Sequence, residues 1–363
     1  MLTDYHYQYI MIISINNNRK DMDDLQCFYL TVGSVSILLT TLFAISVGVV
    51  DIPLTEVLAV LGERSGLSEG MAISAAHRDI LWELRLPRVL LAGFAGAGLS
   101  LCGMVMQALV QNPLAEPYIL GVASGASLGA VAVILLGGTA FLAGAGVPLG
   151  AFIGAAAATA FVLALAGRER SASAVRLILA GAVVSALFTA LANLVVYLAN
   201  DAEGMRSAAF WTMGSLAGAR WDTIWLPGAA VLIGALFFAL RLRELNAMLL
   251  GEETAVTLGV DLMGARRRYL ALTALLTGII VSVCGIFGFV GLIIPHAVRA
   301  VLGADHRRVL PAVLIVGAIF LILADVLCRG LLPSGDLPIG ILTALVGAPL
   351  FMRLLFRAEG FGR

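Results

Sequence analysis

Residues 84–130 read LRLPRVLLAGFAGAGLSLCGMVMQALVQNPLAEPYILGVASGASLGA. From Val89 to Ala115 no residue is charged, and a helix needs only about 20 apolar residues to cross the hydrocarbon core of a bilayer. The turn Gln111-Asn112-Pro113-Leu114-Ala115-Glu116-Pro117 then forces a rigid, non-helical connection, because each proline removes a backbone donor and restricts its predecessor. After Glu116 the next charge is Arg168. The run 117–167 is too long for one crossing, so it folds back, and Gly144-Ala145-Gly146-Val147-Pro148 marks the bend. Apolar helix, sharp turn and apolar helix is the pattern that this stretch sets for the rest.

Working outward, the same pattern recurs. Further charge-free runs cover 28–50, 177–200, 223–240, 269–298, 309–324 and 337–352. The segment 269–302 is either one long helix or a long one followed by a short one, which leaves nine or ten crossings. Arginine placement favours ten. With ten crossings Arg168, Arg170 and Arg176 share one side with Arg241, Arg243 and Arg266 to Arg268, and with Arg299, Arg307, Arg308, Arg353, Arg357 and Arg363. That side is expected to be the cytoplasm and to hold both termini. The loop 51–88 and the segment 201–222 are then external. Across all 363 residues, 60% are hydrophobic and 13% charged, whereas soluble domains carry roughly 25% charged residues. The solvent is lipid, and a net charge of zero implies no nucleic-acid partner.

The first 21 residues differ in composition and hold Lys20, the chain's one lysine, which points to Met22 as the start of translation. The expected division is an N-terminal extension 1–27, a ten-helix membrane domain 28–357 and a tail 358–363. Cys27, Cys102, Cys284 and Cys328 lie in or beside apolar runs without CxxC spacing and read as small buried hydrophobes. His6, His77, His296 and His306 share no metal-ligand spacing, so no metal site is assigned. Ser100-Leu101-Cys102-Gly103, with Pro113 and Gly121 beyond it, recurs 182 residues later as Ser282-Val283-Cys284-Gly285 with Pro295 and Gly303. Five helices separate the copies, so they run in opposite directions, as inverted repeats of transporters do.

Four polar segments stand out. Arg85-Leu86-Pro87-Arg88 presents two arginines at i and i+3 at the outer mouth of span two, either snorkelling or offering a basic dock. The turn 111–117 brings Asn112 and Leu114 to the cytoplasmic mouth of a pathway, or is only a loop. Gly251-Glu252-Glu253-Thr254-Ala255-Val256-Thr257-Leu258-Gly259 reads as a short cytoplasmic helix between glycine stops, either a lever or a connector. Asp325 and Arg329 share a helix face at i, i+4 and can pair. No P-loop occurs, so ATP is not bound here in the usual way, and no catalytic constellation appears within a span.

Together these segments resemble the FecCD-type permeases of ABC importers for iron siderophores, haem and cobalamin. The matching text is residues 84–130, FWTMGSLAGARW at 210–221, GEETAVTLGV at 251–260, GFVGLIIPHAVRAVLGADHRRVLP at 288–311 and LADVLCRGLLPSGDLPIGILTALVGAPLFMRLL at 323–355. The resemblance implies an all-α fold of ten transmembrane helices with an inverted internal repeat, the type II importer permease fold. It implies a bacterial or archaeal cytoplasmic membrane, a second permease copy, two cytoplasmic ATP-binding cassette subunits holding ATP and Mg, and a periplasmic or lipid-anchored substrate-binding protein.

By motif position, Arg85, Arg88 and Arg329 would contact carboxylates of that binding protein. Asn112 and Leu114 would form one cytoplasmic gate, and Ala174 and Val175 occupy a second, where the family's cobalamin importer has hydroxyl residues. Residues 251–259 align with the coupling helix, with Gly251, Glu252, Glu253, Ala255, Leu258 and Gly259 as its named positions. Ser185, Thr189, Asn193 and Tyr197 fall on one stripe of span five and either line the pathway or pack against neighbours. The expected substrate is an iron–siderophore complex, with haem and cobalamin as alternatives. An ion-coupled carrier is the rival from another class, and the near absence of ionisable residues inside the spans speaks against it.

Overall fold

The computed structural model describes residues 29–48, 50–66, 73–137, 146–166, 174–331 and 335–359. The expected N-terminal extension, Cys27, Arg168, Arg170 and residues 360–363 of the tail lie outside them. All regular structure among the described residues is helical. Helix α1 spans Tyr29–Ser46. It is followed by α2 (Leu54–Arg64) and α3 (Ala75–Asp79), which runs through a π-helical turn at Ile80–Arg85 into α4 (Leu86–Val110). A 3₁₀ turn (Pro117–Leu120) leads to α5 (Val122–Leu135), α6 (Gly146–Ala166), α7 (Ala174–Leu198), α8 (Ala202–Thr212) and α9 (Trp221–Ala239). Two short helices, α10 (Leu242–Leu249) and α11 (Glu252–Thr257), precede α12 (Leu262–Cys284), α13 (Val290–Leu302), α14 (His306–Gly330) and α15 (Ile339–Glu359).

Seven of these helical segments are long and apolar enough to cross a membrane, and α5, α13 and the stretch Ile339–Arg353 of α15 are shorter apolar helices. The segment 269–302 proves to be two helices. Gly285, at φ 72°, ends α12, and Phe289, at φ 70°, precedes α13. The external loop expected at 51–88 is largely helical, and span two begins inside it at Ala75.

Helix α4 is the centre of the molecule. It packs against α9, α12, α13 and α14, and it is buried along nearly its whole length. Lipid offers no hydrophobic drive for helices to associate, so close backbone approach supplies the contact instead. A Cβ at Gly103 of α4 would lie 1.8 Å from the Gly291 carbonyl oxygen of α13, so only glycine fits there. The pair α5 and α6 approaches in the same way at Gly129 and Gly150. By contrast α1, α7 and α9 leave most of their surface outside the core.

The inverted repeat is visible in helix order and packing. The series α4, α5, α6, α7 matches α12, α13, α14, α15, and α4 packs on α14 as α12 packs on α6. The lettered repeat at offset 182 does not set its register, however. Gly103 lies inside α4 while Gly285 ends α12, and Pro113 lies in a turn while Pro295 lies within α13. Glycine at tight approaches and proline at breaks are recruited at different points of the two halves.

Two ends can be told apart. All four tryptophans lie toward one of them. Trp82 and Trp221 stack at 5.0 Å, Trp225 lies 6.2 Å from Trp221, and Trp221 Nε1 donates to the Trp82 carbonyl over 2.9 Å. Trp211 lies in the last turn of α8, just before Met213, whose carbonyl receives the Gly340 amide at the start of α15 (3.0 Å). Indole rings of this kind settle at a membrane–water boundary. The opposite end carries α10, α11 and Arg241, Arg243, Arg266, Arg267, Arg268, Arg307 and Arg308.

Candidate functional site

At the tryptophan end the three arginines expected to face a docking partner turn inward. The last carbonyls of α1 have no intrahelical partners, and two arginines supply them. Arg85 Nη1 donates to the carbonyls of Ile45 (2.9 Å) and Ser46 (2.8 Å), and its Nη2 donates to that of Val50. Arg329 donates to those of Ala44 (3.0 Å) and Val47 (3.3 Å). Gly48 leaves the space for this, since a Cβ there would meet Arg85 Nη2 at 2.5 Å.

Arg88 closes the cluster. Its Nε donates to Asp325 Oδ1 at 2.9 Å, and its Nη1 bonds Asp336 in the connection before α15. Asp325, 1% exposed, also lies 3.1 Å from Arg329 Nε, an ion pair that lacks the alignment of a hydrogen bond. The i, i+4 pair read from the sequence is therefore present, inside a larger network. Arg85 and Arg329 are 6% and 8% exposed, and in this chain their guanidinium groups are engaged by the end of α1. Helix-end carbonyls at membrane depth cannot reach water and take the guanidinium groups instead.

The turn 111–117 lies at the opposite end of α4. Gln111 adopts the left-handed conformation, φ 51° and ψ 36°, and its Nε2 donates to the Met248 carbonyl of α10 at 2.9 Å. Asn112 Oδ1 accepts the Leu114 amide at 2.9 Å, a local turn that engages the side-chain oxygen and leaves Leu114 41% exposed. Glu116 Oε1 accepts the Phe289 amide at 2.9 Å, and Tyr118 donates to the Phe287 carbonyl at 2.9 Å. Both ends of the turn are thus fastened, one to α10 and one to the break between α12 and α13.

Helix α7 starts beside this turn. Gly181 lets it approach closely, since a Cβ there would sit 1.9 Å from the Ile119 carbonyl oxygen. Ala174 opens the helix and Val175 is largely exposed. Leu177, Ala180, Val184 and Phe188 bury one face. Ser185 is half-buried, while Thr189, Asn193 and Tyr197 are exposed on the face turned from the core, so the stripe does not pack within this chain.

Helices α10 and α11 form a hairpin. Gly251 (φ 102°) and Gly259 (φ 82°) bound α11 in conformations that favour glycine. Ala255 seats it on the body, and Glu253, Val256 and Leu258 face outward with Leu250. Glu252 is tied back to Arg266 of α12 at 2.6 Å. In α10, Glu244 bonds Arg241 and the Tyr269 hydroxyl, and these contacts outweigh its burial and hold it below the ordinary carboxylate range. Asn246 accepts from the His306 amide (2.9 Å) and ring Nδ1 (2.7 Å) and donates to Asp305 (2.7 Å). Sequence reasoning missed Gln111, Asn246, Glu116 and Asp336. The available signal was a polar residue at the last position of an apolar helix, which fits Gln111; Asn246 offered none.

Comparison with known proteins matches this architecture. The FecCD transport family model covers residues 36–357. A hemin transport system permease, HmuU of Yersinia pestis, is 39% identical over 78% of this chain and 86% of its own length. A cobalamin import permease, BtuC of Halobacterium salinarum, is 41% identical over 76% and 73%. A solved structure described as an inward-facing metal-chelate type ABC transporter superposes with a TM-score of 0.78 at 31% identity, covering 90% of this chain and 98% of its own. The chain with the inward-turned arginine cluster and the α10–α11 hairpin belongs to the FecCD transport family.

Proposed function

We propose that this chain is the ten-helix permease subunit of an ATP-driven importer of a metal chelate in a bacterial or archaeal cytoplasmic membrane. The observation that carries the reading is the α10–α11 hairpin, an exposed Leu250, Val256 and Leu258 surface on a short helix fixed to the body, in a chain of this family. ATP and Mg belong to two separate cassette subunits that receive this surface, which makes the α10–α11 end cytoplasmic and the tryptophan end outer. A second permease copy faces the α7 stripe, so that Thr189, Asn193 and Tyr197 border the path. Asn112 and Leu114, with Ala174 and Val175, close it at the cytoplasmic side.

A periplasmic or lipid-anchored binding protein delivers the substrate to the outer end. Arg88 is the docking contact there, because its partner Asp336 keeps a third of its side chain in solvent and can be exchanged for a partner carboxylate. Arg85 and Arg329 support that surface from below. The substrate is an iron–siderophore complex; the names of the hemin and cobalamin relatives support a macrocyclic metal chelate as the second reading. No covalent chemistry falls to this chain. It supplies an alternating path whose closure is driven from outside.

The test is ATP hydrolysis by the reconstituted permease–cassette complex with its binding protein, loaded in turn with ferrichrome, hemin and cyanocobalamin. Stimulation by one of them establishes the importer and names the substrate. A complex that assembles no cassette subunit and responds to an ion gradient instead would falsify it in favour of a secondary carrier.

A further inference from the structure

Helix α10 is tied to three separate parts of the membrane body. Glu244 reaches α12 through Tyr269, Asn246 reaches the start of α14 through Asp305 and His306, and the Met248 carbonyl receives Gln111 from the end of α4. The orientation of the Asn246 amide is fixed by its neighbours. Its nitrogen faces the Asp305 carboxylate, so its oxygen faces His306, and His306 Nδ1 bears the proton. Helix α11 follows directly after Gly251, so a displacement of α11 pulls on α10 through the chain, as it pulls on α12 through residues 258–261 and the Glu252–Arg266 pair.

The bond from Gln111 is the one that leads to the turn 111–117. A residue other than glycine is uncommon in the left-handed conformation. Glycine would end α4 there with less strain. What glutamine adds is a donor that joins residues 137 apart in the chain. Beyond it, Glu116 and Tyr118 hold the other end of the same turn against Phe287 and Phe289, where Phe289 is the second left-handed non-glycine residue among those described. The turn is suspended between α10 and the helix break at 285–289.

We infer that α10 is a relay and that Gln111 is its output, a positioning residue that transmits movement of α11 to the cytoplasmic turn and through it to the break before α13. This rests on the reading of α11 as the cassette contact and of the turn as a gate. Removing a merely structural cap at Gln111 would leave transport locked to hydrolysis; removing a relay would uncouple them.

The experiment uses the full permease–cassette complex in proteoliposomes and measures both ATP hydrolysis and uptake of whichever of ferrichrome, hemin or cyanocobalamin stimulates the unaltered protein. Gln111→Glu keeps the shape and loses the donor; Gln111→Gly relaxes the backbone and loses the amide. Both variants should assemble and hydrolyse ATP within about twofold of the unaltered complex, while chelate carried per ATP falls about tenfold, the worth of one hydrogen bond. Asn246→Asp, which sets a carboxylate against Asp305, should produce the same uncoupling. An unchanged ratio of uptake to hydrolysis in both Gln111 variants overturns the relay while leaving the importer intact. An unaltered complex that no chelate stimulates overturns the importer reading and the relay with it.

Discussion

The two ends of this molecule spend the same residue type in opposite ways. At the tryptophan end Arg85, Arg88 and Arg329 are enclosed by helix-end carbonyls and by Asp325 and Asp336. At the other end Arg267 and Arg268 lie on an open face beside a hairpin tied to the body through Glu244, Asn246, Met248 and Glu252. The difference teaches that charge near a membrane boundary follows the needs of the nearest backbone. Where a helix ends short of water, arginine completes it; where the chain already reaches water, arginine stays at the surface and marks the side.

The largest expected effect lies in the enclosed network. Asp325→Asn leaves Arg88 and Arg329 buried without their shared carboxylate, and should cost about 3–5 kcal/mol, read as a fall in melting temperature in detergent. Gly103→Val comes next, because a side chain there collides with the Gly291 carbonyl; at least about 1–3 kcal/mol and a splayed α4–α13 contact are expected in the same melt. Arg85→Ala should cost about 1–3 kcal/mol by orphaning the α1 carbonyls. If instead it leaves the melt unchanged and abolishes stimulation by the binding protein, the docking role returns to Arg85 and the contrast between the two ends fails.

At the open end the order reverses, with small stability effects and large functional ones. Val256→Ser with Leu258→Ser should stay within about 0.5 kcal/mol of the unaltered melt, as surface changes do, yet lose co-purification of the cassette subunit. Glu252→Gln, removing an ion pair whose carboxylate is half-exposed, should change stability by less than about 1 kcal/mol.

Much of the fold was legible because lipid imposes a simple code. Uncharged runs gave the crossings, and the Asn112-Pro113 and Glu116-Pro117 pairs gave the turn. The Gly251 and Gly259 stops gave α11 within a residue. The direction of side chains was not legible. Arg85 reads outward in a one-dimensional sequence because nothing in its own segment shows that α1 ends against it, some 40 residues earlier. Asp336 and Asn246 were hidden for the same reason, since their partners are 248 and 60 residues distant. The break at 285–289 stayed ambiguous because apolar Ile286, Phe287 and Phe289 disguise it, and its left-handed residue is not a glycine.

The one-sided placement of the indoles has an optical consequence. Trp82, Trp211, Trp221 and Trp225 are every tryptophan the chain has, so its intrinsic fluorescence comes from one leaflet alone. A membrane-impermeant quencher added outside sealed vesicles dims only those copies whose tryptophan end faces it. The emission that remains counts the copies inserted the other way round, and the protein carries its own orientation label without any dye attached.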